Sequence, residues 1–399
     1  MKSLYDDTIA QQYANDPLAM RVYTSQLLGQ SKELVLHGGG NTSVKIDGIL
    51  YVKGSGWNLD TIEKAGFSPV DLKVLIEMAG RESLGDSQMV KEQRAAMSDQ
   101  SFPNPSIEAI LHAIIPFDFV DHTHTDAVVT LTNTPNGKEL MEEIYGENML
   151  LIDYVMPGFL LAKHIYDVTR TVDWNTLDGI ILLNHGVFTF DNDAKKAYEK
   201  MIAIVTKAEE YLEKNVTLPC RDCPGESDPV MIQKIADAVS VIRGTPIFPI
   251  VIDSPRAKLL SLFPNLKRLV KQGGLTPEHV IRIKPFPAII EEDVAAGIET
   301  FTKEYQSYFD KYSNESHVCL DLAPRYCIIK GVGAVALGKD EKESGIIADI
   351  VNHTITAILS GEQLGAWISL TLKDMFEMEY WELEQAKLKN HPIKNSLKH

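Results

Sequence analysis

The sequence predicts an α/β (α+β) protein with a mixed or antiparallel central sheet, flanked by helices, and a second, smaller α/β domain. Apolar runs rich in β-formers alternate with stretches of helical periodicity. The dipeptide Asp47-Gly48 joins two such runs, which is typical of a two-residue β-hairpin. Residues 217–228 (TLPCRDCPGESD) hold two prolines and a glycine, which indicates a linker. At 399 residues the chain is also longer than one average domain.

The first domain is predicted over residues 1–216. Its sheet starts with the hairpin of residues 44–46 and 49–52. Hairpin connections favour an antiparallel or mixed sheet over a doubly wound one. Helices are predicted over residues 21–28, 107–115 and 194–212, and strands over residues 49–52, 128–131, 180–183 and 187–190.

The second domain is predicted over residues 230–372, after a linker at 217–229. The remaining residues, 373–399, are predicted to hold an amphipathic helix at 374–389, with Met375, Met378 and Trp381 on one face for packing or an oligomer contact. Strands are predicted over residues 248–252, 280–283, 326–330 and 334–337, and helices over residues 230–242, 293–312 and 343–359.

Composition and charge narrow the function classes. Hydrophobic residues make up 44% and charged residues 24%, which is ordinary for a soluble globular enzyme. Four cysteines in this length predict reduced thiols and no disulfide scaffold. The polar start lacks a signal peptide's apolar stretch, and no run approaches the roughly 18 apolar residues of a membrane span. We therefore expect a cytoplasmic protein.

The net charge of −16 argues against nucleic acid and anionic membranes as partners, because both require a basic surface. The same charge would repel an anionic substrate at long range. Any phosphate group must therefore be held by local backbone amides and hydroxyl groups.

Three histidines are candidate metal ligands. His122 and His124 are two residues apart, so in an extended chain their side chains project to the same side. His185 lies at the break between two apolar strands, where a side chain can reach a site at the strand ends. Three protein ligands with an open position are typical of catalytic zinc. An isolated His-x-His pair, however, is more often a surface or hydrogen-bonding pair.

Glycine-rich segments at both ends of the hairpin are candidates for a phosphate site. Residues 37–43 (HGGGNTS) precede the hairpin, and residues 53–56 (KGSG) follow it. Together they could form a concave nest of amides and hydroxyls, although either segment alone could be a simple tight turn.

The segment Asn104-Pro105-Ser106 predicts a helix start, with Asn104 as N-cap and Pro105 as the first helical residue. Ser106 and the helix N-terminus offer further donors to a phosphate. Glu108 falls in the same first turn, where a glutamate commonly just complements the helix dipole.

Several other signals carry less weight. His112, His317 and His353 follow helical or loop patterns and are interpreted as structural. The glycines around residues 331–333 imitate a dinucleotide fingerprint, but a strand and not a helix is predicted directly after them. Cys220 and Cys223 have Cys-x-x-Cys spacing without a second pair, which favours free linker thiols over a zinc or redox site.

Five segments occur in an order that resembles the class II aldolase and adducin family: GGGNTSVK, VKGSGW, NPSIEAILHA, DHTHTDAV and LLNHGVFTF. Further segments, including YVMPGFLLAK, TPEHVIRIKPFP and IADIVNHTI, resemble the aldolase half of bifunctional rhamnulose-1-phosphate aldolase/alcohol dehydrogenases. That resemblance spans nearly the whole chain. A short-chain dehydrogenase domain follows in those proteins, and since this chain stops at His399, dehydrogenase activity is not expected of it.

The resemblance implies a class II aldolase-like fold and a metal-dependent lyase. His122, His124 and His185 would bind Zn²⁺, although three imidazoles also suit Mn²⁺ or Co²⁺. Glu108 would be the acid/base group. The family's phosphate contacts fall on Asn41, Ser55, Gly56 and Ser106.

The implied substrate is a phosphorylated sugar, with L-rhamnulose 1-phosphate as the best guess, and the implied products are dihydroxyacetone phosphate and L-lactaldehyde. Family members are commonly tetramers with sites near subunit interfaces, where a neighbour can complete the acid/base set. A homo-oligomer is therefore expected.

Two other functions are consistent with the sequence. The family also includes epimerases, decarboxylases and a sugar-phosphate dehydratase, which use a similar metal site. A non-catalytic, adducin-like scaffold is the alternative of a different class. Retention of the three histidines and Glu108 argues against a scaffold, which has no use for a metal site.

Overall fold

The structure is a computed structural model that describes residues 1–218 and 227–389. The chain divides into two units, unit 1 (Met1–Asp222 and Asn352–Ser369) and unit 2 (Cys223–Val351 and Leu370–His399). Each unit contains one sheet with helices, which confirms the expected fold class. The boundaries at residues 216, 230 and 372 stay a prediction. Residues 352–369, which we expected in the second domain, group with unit 1.

Unit 1 is built on a seven-stranded sheet. Its strands are β1 (Asn41–Ile46), β2 (Ile49–Lys53), β3 (Phe67–Asp71), β4 (Phe119–Thr123), β5 (Met149–Ile152), β6 (Gly179–Leu182) and β7 (Gly186–Asp191). Its helices are α1 (Asp7–Ala10), α2 (Pro17–Gly29), α3 (Leu72–Ala79), α4 (Asp86–Ala95), α5 (Ala109–Ile114), α6 (Asp126–Thr132), α7 (Gly137–Tyr145), α8 (Phe159–Val168) and α9 (Ala194–Asn215).

The strand order is β3-β2-β1-β4-β7-β6-β5, and all neighbours pair antiparallel except β5 and β6. The predicted hairpin is present between β1 and β2. Asp47 (φ 49°) and Gly48 (φ 79°) both have left-handed backbone conformations, as a type I′ turn requires. The sheet is therefore mixed, as predicted, and it brings β1, β4 and β7 side by side.

Both faces of this sheet are covered by helices. Ile181 and Val187 pack on one face in a cluster with residues of α2, α6, α7 and α9. Ile180 and Phe188, their chain neighbours, pack on the opposite face with residues of α5 and α8. Because successive strand residues point to opposite faces, burial of both faces explains the continuous apolar runs in β6 and β7.

Unit 2 holds a four-stranded sheet in the order β8-β11-β10-β9. Its strands are β8 (Phe248–Ile252), β9 (Ala288–Ile290), β10 (Tyr326–Ile329) and β11 (Gly333–Gly338). Its helices are α10 (Pro229–Arg243), α11 (Pro255–Ser261), α12 (Leu266–Val270), α13 (Val280–Ile283), α14 (Val294–Tyr312), α15 (Glu341–Gln363, whose last residues belong to unit 1), α16 (Leu372–Glu379) and α17 (Glu382–Lys389).

The core of unit 2 lies between the sheet and the helices α10, α14 and α16. Apolar residues of β10 and β11 form one buried cluster with residues of α10 and α14. Gly331 lies in the connection between the antiparallel strands β10 and β11, and Gly333 is the first residue of β11. The strand predicted at residues 334–337 is thus confirmed.

Two predicted strands are wrong. Residues 128–131 lie in helix α6, and residues 280–283 form helix α13. Both runs are rich in β-branched residues, and their side chains are almost all buried. A short apolar run that is buried on all sides has no period of its own, so sequence patterning cannot separate strand from helix there.

Two predicted boundaries also need correction. The helix expected from Asn104 begins at Ala109, with Glu108 as N-cap, while Pro105 forms a bridge with Gly54. The terminal helix expected at residues 374–389 is two helices, α16 and α17, separated at Tyr380 and Trp381. Cys220 and Cys223 lie outside the described residues.

Membrane insertion through a helix has no candidate in the described part of the chain. None of the helices within residues 1–218 and 227–389 combines the length and the apolar character that a bilayer span needs.

Candidate metal centre

Two of the three candidate ligands come from strand β4 and its end. His122 lies in β4, opposite Asn41 of β1 and Phe188 of β7. Its imidazole stacks on the ring of Phe188, with centroids 4.0 Å apart, and its Nδ1 lies 3.0 Å from the carbonyl oxygen of Val187. A carbonyl only accepts, so Nδ1 carries the hydrogen and Nε2 presents a lone pair. His124 follows one residue after the strand ends.

His185 reaches the same place from the turn between β6 and β7. Its amide donates to the carbonyl of Leu182 at 3.1 Å, and Asn184 before it has a positive φ of 61°. Gly186 after it is required by space, because a Cβ there would lie 2.4 Å from the carbonyl oxygen of Thr123. This close approach brings the turn against the end of β4.

The structure brings the three histidines together. One ring nitrogen from each of His122, His124 and His185 lies within 4.8 Å of the others. The Nε2 atoms of His122 and His124 are 2.9 Å apart, and His122 and His185 are buried. Such clustering of imidazole nitrogens fits a divalent cation, since neutral imidazole is a common ligand for zinc and its relatives. The donor set therefore fits the metal that the sequence implies.

Glu108 faces this cluster from the start of α5. Its Oε2 lies 3.5 Å from His122 Nε2, and its Oε1 lies 3.7 Å from His185 Nε2. The side chain is only 7% exposed, and its Oε2 accepts a hydrogen bond from Asn41 Nδ2 at 2.6 Å. A buried carboxylate next to a cation site can exchange a proton with a substrate atom held there.

The two loops predicted to hold phosphate are neighbours. The amide of Ser55 donates to the carbonyl of Asn104 at 2.8 Å, and the amide of Ser106 donates to the carbonyl of Lys53 at 3.0 Å. Ser55 and Gly56 are exposed, and Ser106 is half-buried. Asn41 is different, because it is buried and its side-chain amide is hydrogen-bonded inside the site.

The sequence alone did not indicate the role of two charged residues near this site. The buried Lys53 donates from Nζ to the carbonyl of Gly38 at 3.0 Å, which ties the two glycine-rich segments together. Arg21 forms a fully buried ion pair with Asp121, the residue before His122, at 2.6 Å. Lys53 stood in a glycine-rich segment that the sequence analysis singled out, whereas a charged residue within an apolar run was the available signal for Arg21.

The histidines interpreted as structural lie in three environments. His112 is fully buried and contacts Ser43 and Asn41. His353 pairs through Nδ1 with Asp126. His317 accepts from the backbone amide of Asn314 at 3.1 Å through Nδ1. His112 is therefore close to the candidate site, which its helical spacing did not indicate.

Comparison with known proteins gives matches along most of the chain. The family profile described as class II aldolase and adducin N-terminal domain matches residues 21–212. The profile described as aldolase class II, second domain, matches residues 227–388. The chain is similar to the uncharacterized oxidoreductase YuxG of Bacillus subtilis (strain 168), with 30% identity over 403 residues. That match covers 92% of this chain but only 57% of the relative, so the chain spans little more than half the relative's length.

Two solved structures are also similar. One is the N-terminal class II aldolase domain of a conserved protein from Thermoplasma acidophilum, at 36% identity and a TM-score of 0.49, covering 53% of this chain and 99% of that one. The other is L-fuculose-1-phosphate aldolase from Thermus thermophilus, at 16% identity and a TM-score of 0.34, covering 50% and 94%. The matches to these two family profiles show that this chain belongs to the class II aldolase and adducin family.

Proposed function

We propose that this protein is a metal-dependent lyase that cleaves a ketose 1-phosphate between C3 and C4. The observation that carries the proposal is the buried Glu108 carboxylate, which lies 3.5 Å from Nε2 of His122 and 3.7 Å from Nε2 of His185. A scaffold protein has no use for a carboxylate directed at a cluster of three imidazoles. Family membership supports the same conclusion.

His122, His124 and His185 are the proposed metal ligands, and Zn²⁺ is the proposed metal, with Mn²⁺ or Co²⁺ as substitutes. When bound, the cation would supply Lewis-acid stabilisation of the negative charge that develops on the substrate oxygens. The protein contributes the orientation of its ligands. The carbonyl of Val187 holds Nδ1–H of His122, so its Nε2 faces the other two histidines.

Glu108 is the proposed proton donor and acceptor at C3. As the C3–C4 bond breaks, the C4 hydroxyl loses its proton and becomes the aldehyde carbonyl, and the electron pair of the broken bond stays on C3 of the dihydroxyacetone phosphate fragment. We assign the base that takes the hydroxyl proton to the neighbouring subunit, which is expected to complete the acid/base set, and Glu108 delivers a proton to C3. In the condensation direction the carboxylate removes the same proton. The hydrogen bond from Asn41 holds the carboxylate in one orientation for this transfer.

The substrate phosphate is assigned to Ser55, Gly56 and Ser106. The first two are exposed, and the segments that carry them are hydrogen-bonded to each other. Hydroxyl and backbone donors suit an anion in a protein whose net charge is −16. We expected Asn41 in this group as well, but its side chain is engaged with Glu108, so we assign that side chain to holding the carboxylate.

L-Rhamnulose 1-phosphate is the proposed substrate, which would give dihydroxyacetone phosphate and L-lactaldehyde. The choice of sugar comes from the sequence resemblance. The similarity to an oxidoreductase of greater length fits the arrangement in which an aldolase region and a dehydrogenase region share one protein. A homo-oligomer, with tetramers as the family's common form, is the proposed assembly.

The test is an assay for dihydroxyacetone phosphate, using purified protein of measured metal content and the 1-phosphates of rhamnulose, fuculose and ribulose. We expect release from one sugar that a chelator abolishes and added Zn²⁺ restores. Glu108→Gln should retain the metal and lose activity by roughly 10²–10⁴-fold, the usual contribution of a general acid–base group. The exposed His164→Gln, on helix α8, is the matched control and should keep both.

Each result that contradicts the proposed function points to a different alternative. Bound metal with no release from any sugar would shift the function to another reaction of the family. Absence of both metal and activity would favour the scaffold. A Glu108→Gln variant that cleaves at the wild-type rate would remove Glu108 from the chemistry.

A further inference from the structure

A chain of hydrogen bonds connects Glu108 to the interior of unit 1. Glu108 Oε2 accepts from Asn41 Nδ2 at 2.6 Å, Asn41 Oδ1 contacts His112 Nε2, and His112 Nδ1 contacts Ser43 Oγ at 2.8 Å. Ser43, Asn41 and His112 are all buried. The chain therefore runs from strand β1 through helix α5 and back to β1 before it reaches the carboxylate.

The direction of each bond follows from the chemistry of the groups. A carboxylate only accepts, so the Asn41 amide must present its nitrogen to Glu108 and its oxygen to His112. The amide oxygen in turn only accepts, so His112 Nε2 must carry a hydrogen. A neutral imidazole then has Nδ1 as acceptor, which the Ser43 hydroxyl satisfies as donor.

The surroundings keep His112 neutral and fixed. Burial, aided by the nearby cationic groups of Lys45 and Arg21, lowers the pKa of His112 well below its usual value. The ring contacts Phe188 edge-on, with centroids 5.5 Å apart, and Phe188 itself stacks on His122. The neutral ring therefore offers a donor, Nε2–H, to Asn41 and an acceptor, Nδ1, to Ser43.

We propose that His112 is a positioning residue, which sets the orientation of the Asn41 amide and, through it, the carboxylate of Glu108. The inference rests on the proposed role of Glu108. If the imidazole merely filled space, its donor would have no reason to be directed at Asn41, whose amide donates to the carboxylate. Without that donor, the amide can rotate and present its oxygen to Glu108, which repels the carboxylate.

The hydrogen-bond assignment is tested on chelator-treated protein labelled with ¹⁵N in its histidine side chains. Among the 11 histidines, one resonance should report a neutral ring with hydrogen on Nε2 and should disappear in His112→Gln. In Asn41→Leu, which removes the acceptor, this resonance should shift. A His112 resonance with hydrogen on Nδ1, or one that Asn41→Leu leaves unchanged, would overturn the proposal.

The kinetic test compares two replacements of His112 in the metal-loaded protein. His112→Met has no donor, and its kcat should fall roughly 10- to 100-fold while KM changes little, as is typical when a partner behind a site residue is lost. His112→Gln can still donate to Asn41 and should recover most of that loss. His164→Gln, on the exposed face of α8, should match the wild type.

The outcomes separate this inference from the proposed function. If the wild type cleaves no ketose 1-phosphate, the proposed function fails, and the ¹⁵N spectra alone still decide the position of the His112 hydrogen. If the wild type is active and both His112 variants retain its kcat, the positioning role is wrong. If His112→Met does not fold, Ser43→Ala replaces it, and the expected result is a change in the His112 resonance with a smaller fall in kcat.

Discussion

Units 1 and 2 each bury two oppositely charged groups, Arg21 with Asp121 and Lys284 with Glu379, and the charges of the two pairs are compensated differently. In unit 1, Arg21 and Asp121 are fully buried and form a direct ion pair at 2.6 Å. In unit 2, the aromatic ring of Tyr305 lies between the buried side chains of Lys284 and Glu379. Lys284 Nζ lies 3.6 Å from the centroid of that ring, and the Tyr305 hydroxyl donates to the buried Glu379 at 2.8 Å.

The two arrangements have different consequences for ionisation. Burial raises the pKa of Asp121, but the adjacent Arg21 guanidinium opposes that rise, and a guanidinium stays charged in proteins. In unit 2, burial lowers the pKa of Lys284 to about 7 and raises the pKa of Glu379 to about 7. Direct pairing thus favours the charged form of Asp121, whereas burial places the pKa values of Lys284 and Glu379 near neutrality.

Removing one member of the unit 1 pair should give the largest effect on stability. Arg21→Leu leaves the Asp121 carboxylate buried without its partner, and we expect the free energy of unfolding to fall by about 3–5 kcal/mol. Urea denaturation measures it. The control is Lys195→Leu, which breaks an exposed pair with Asp7 and should leave the free energy of unfolding nearly unchanged. If both variants lowered the free energy of unfolding equally, removal of a partner from the buried pair would destabilise the protein no more than removal of one from an exposed pair.

The pH dependence of unit 2 should give the next largest effect. The pKa of Glu379 is raised in the folded protein, from 4.5 to about 7, so the folded state binds the extra proton between these values. Stability is therefore highest below the lower value and falls as pH rises to about 7, by at most roughly 1.4 kcal/mol per pH unit. Glu379→Gln should abolish this fall, as measured by hydrogen exchange of unit 2 amides at pH 5, 6 and 7.

One control variant makes that result specific. Glu377→Gln changes an exposed residue of the same helix, α16, and should leave the pH dependence unchanged. Lys284 acts in the opposite sense, because its lowered pKa means that stability is lost as pH falls from about 10.5 through 7. A wild-type unit 2 that is equally protected at pH 5 and pH 7 would contradict the contrast between the two units.

The smallest expected effect concerns the close contact in unit 1 between the backbone at Gly186 and the end of strand β4. A Cβ at Gly186 would lie 2.4 Å from the carbonyl oxygen of Thr123 and 3.0 Å from Cε1 of His122. We expect Gly186→Ala to weaken Zn²⁺ binding roughly 10- to 100-fold, since displacement of a ligand's support has effects of that size. Competition with a chromogenic chelator measures the affinity. Gly85→Ala, where a Cβ meets no atom within 4 Å, should bind like the wild type.

The candidate site was only partly predictable from sequence. His122 and His124 share a side because the chain there is extended, which is a local property. His185 lies about 60 residues further on, and its arrival at the same place depends on the pairing of β6, β7 and β4. From the residues alone, the His122–His124 pair and His185 were two separate, weak indications of a metal site. The resemblance to a family assigned them to one site.

The wrong predictions have a common cause. Residues 128–131 and 280–283 were expected as strands because their β-branched side chains favour a pleated surface. In the structure these side chains are buried against neighbouring elements, and both segments are helical. Tertiary packing can override intrinsic preferences of this size, which amount to a few tenths of a kcal/mol per residue.

The sequence by itself determined those features whose causes lie within a few residues. Asp47-Gly48 specifies its turn because both positions tolerate positive φ, and Asp193 and Asp293 begin long helices because their carboxylates accept the first free amides. The tertiary structure alone decided that His112, interpreted as a structural residue, contacts Asn41 and Ser43. A hydrogen bond between residues about 70 positions apart depends on strand register and helix packing, which no local pattern encodes.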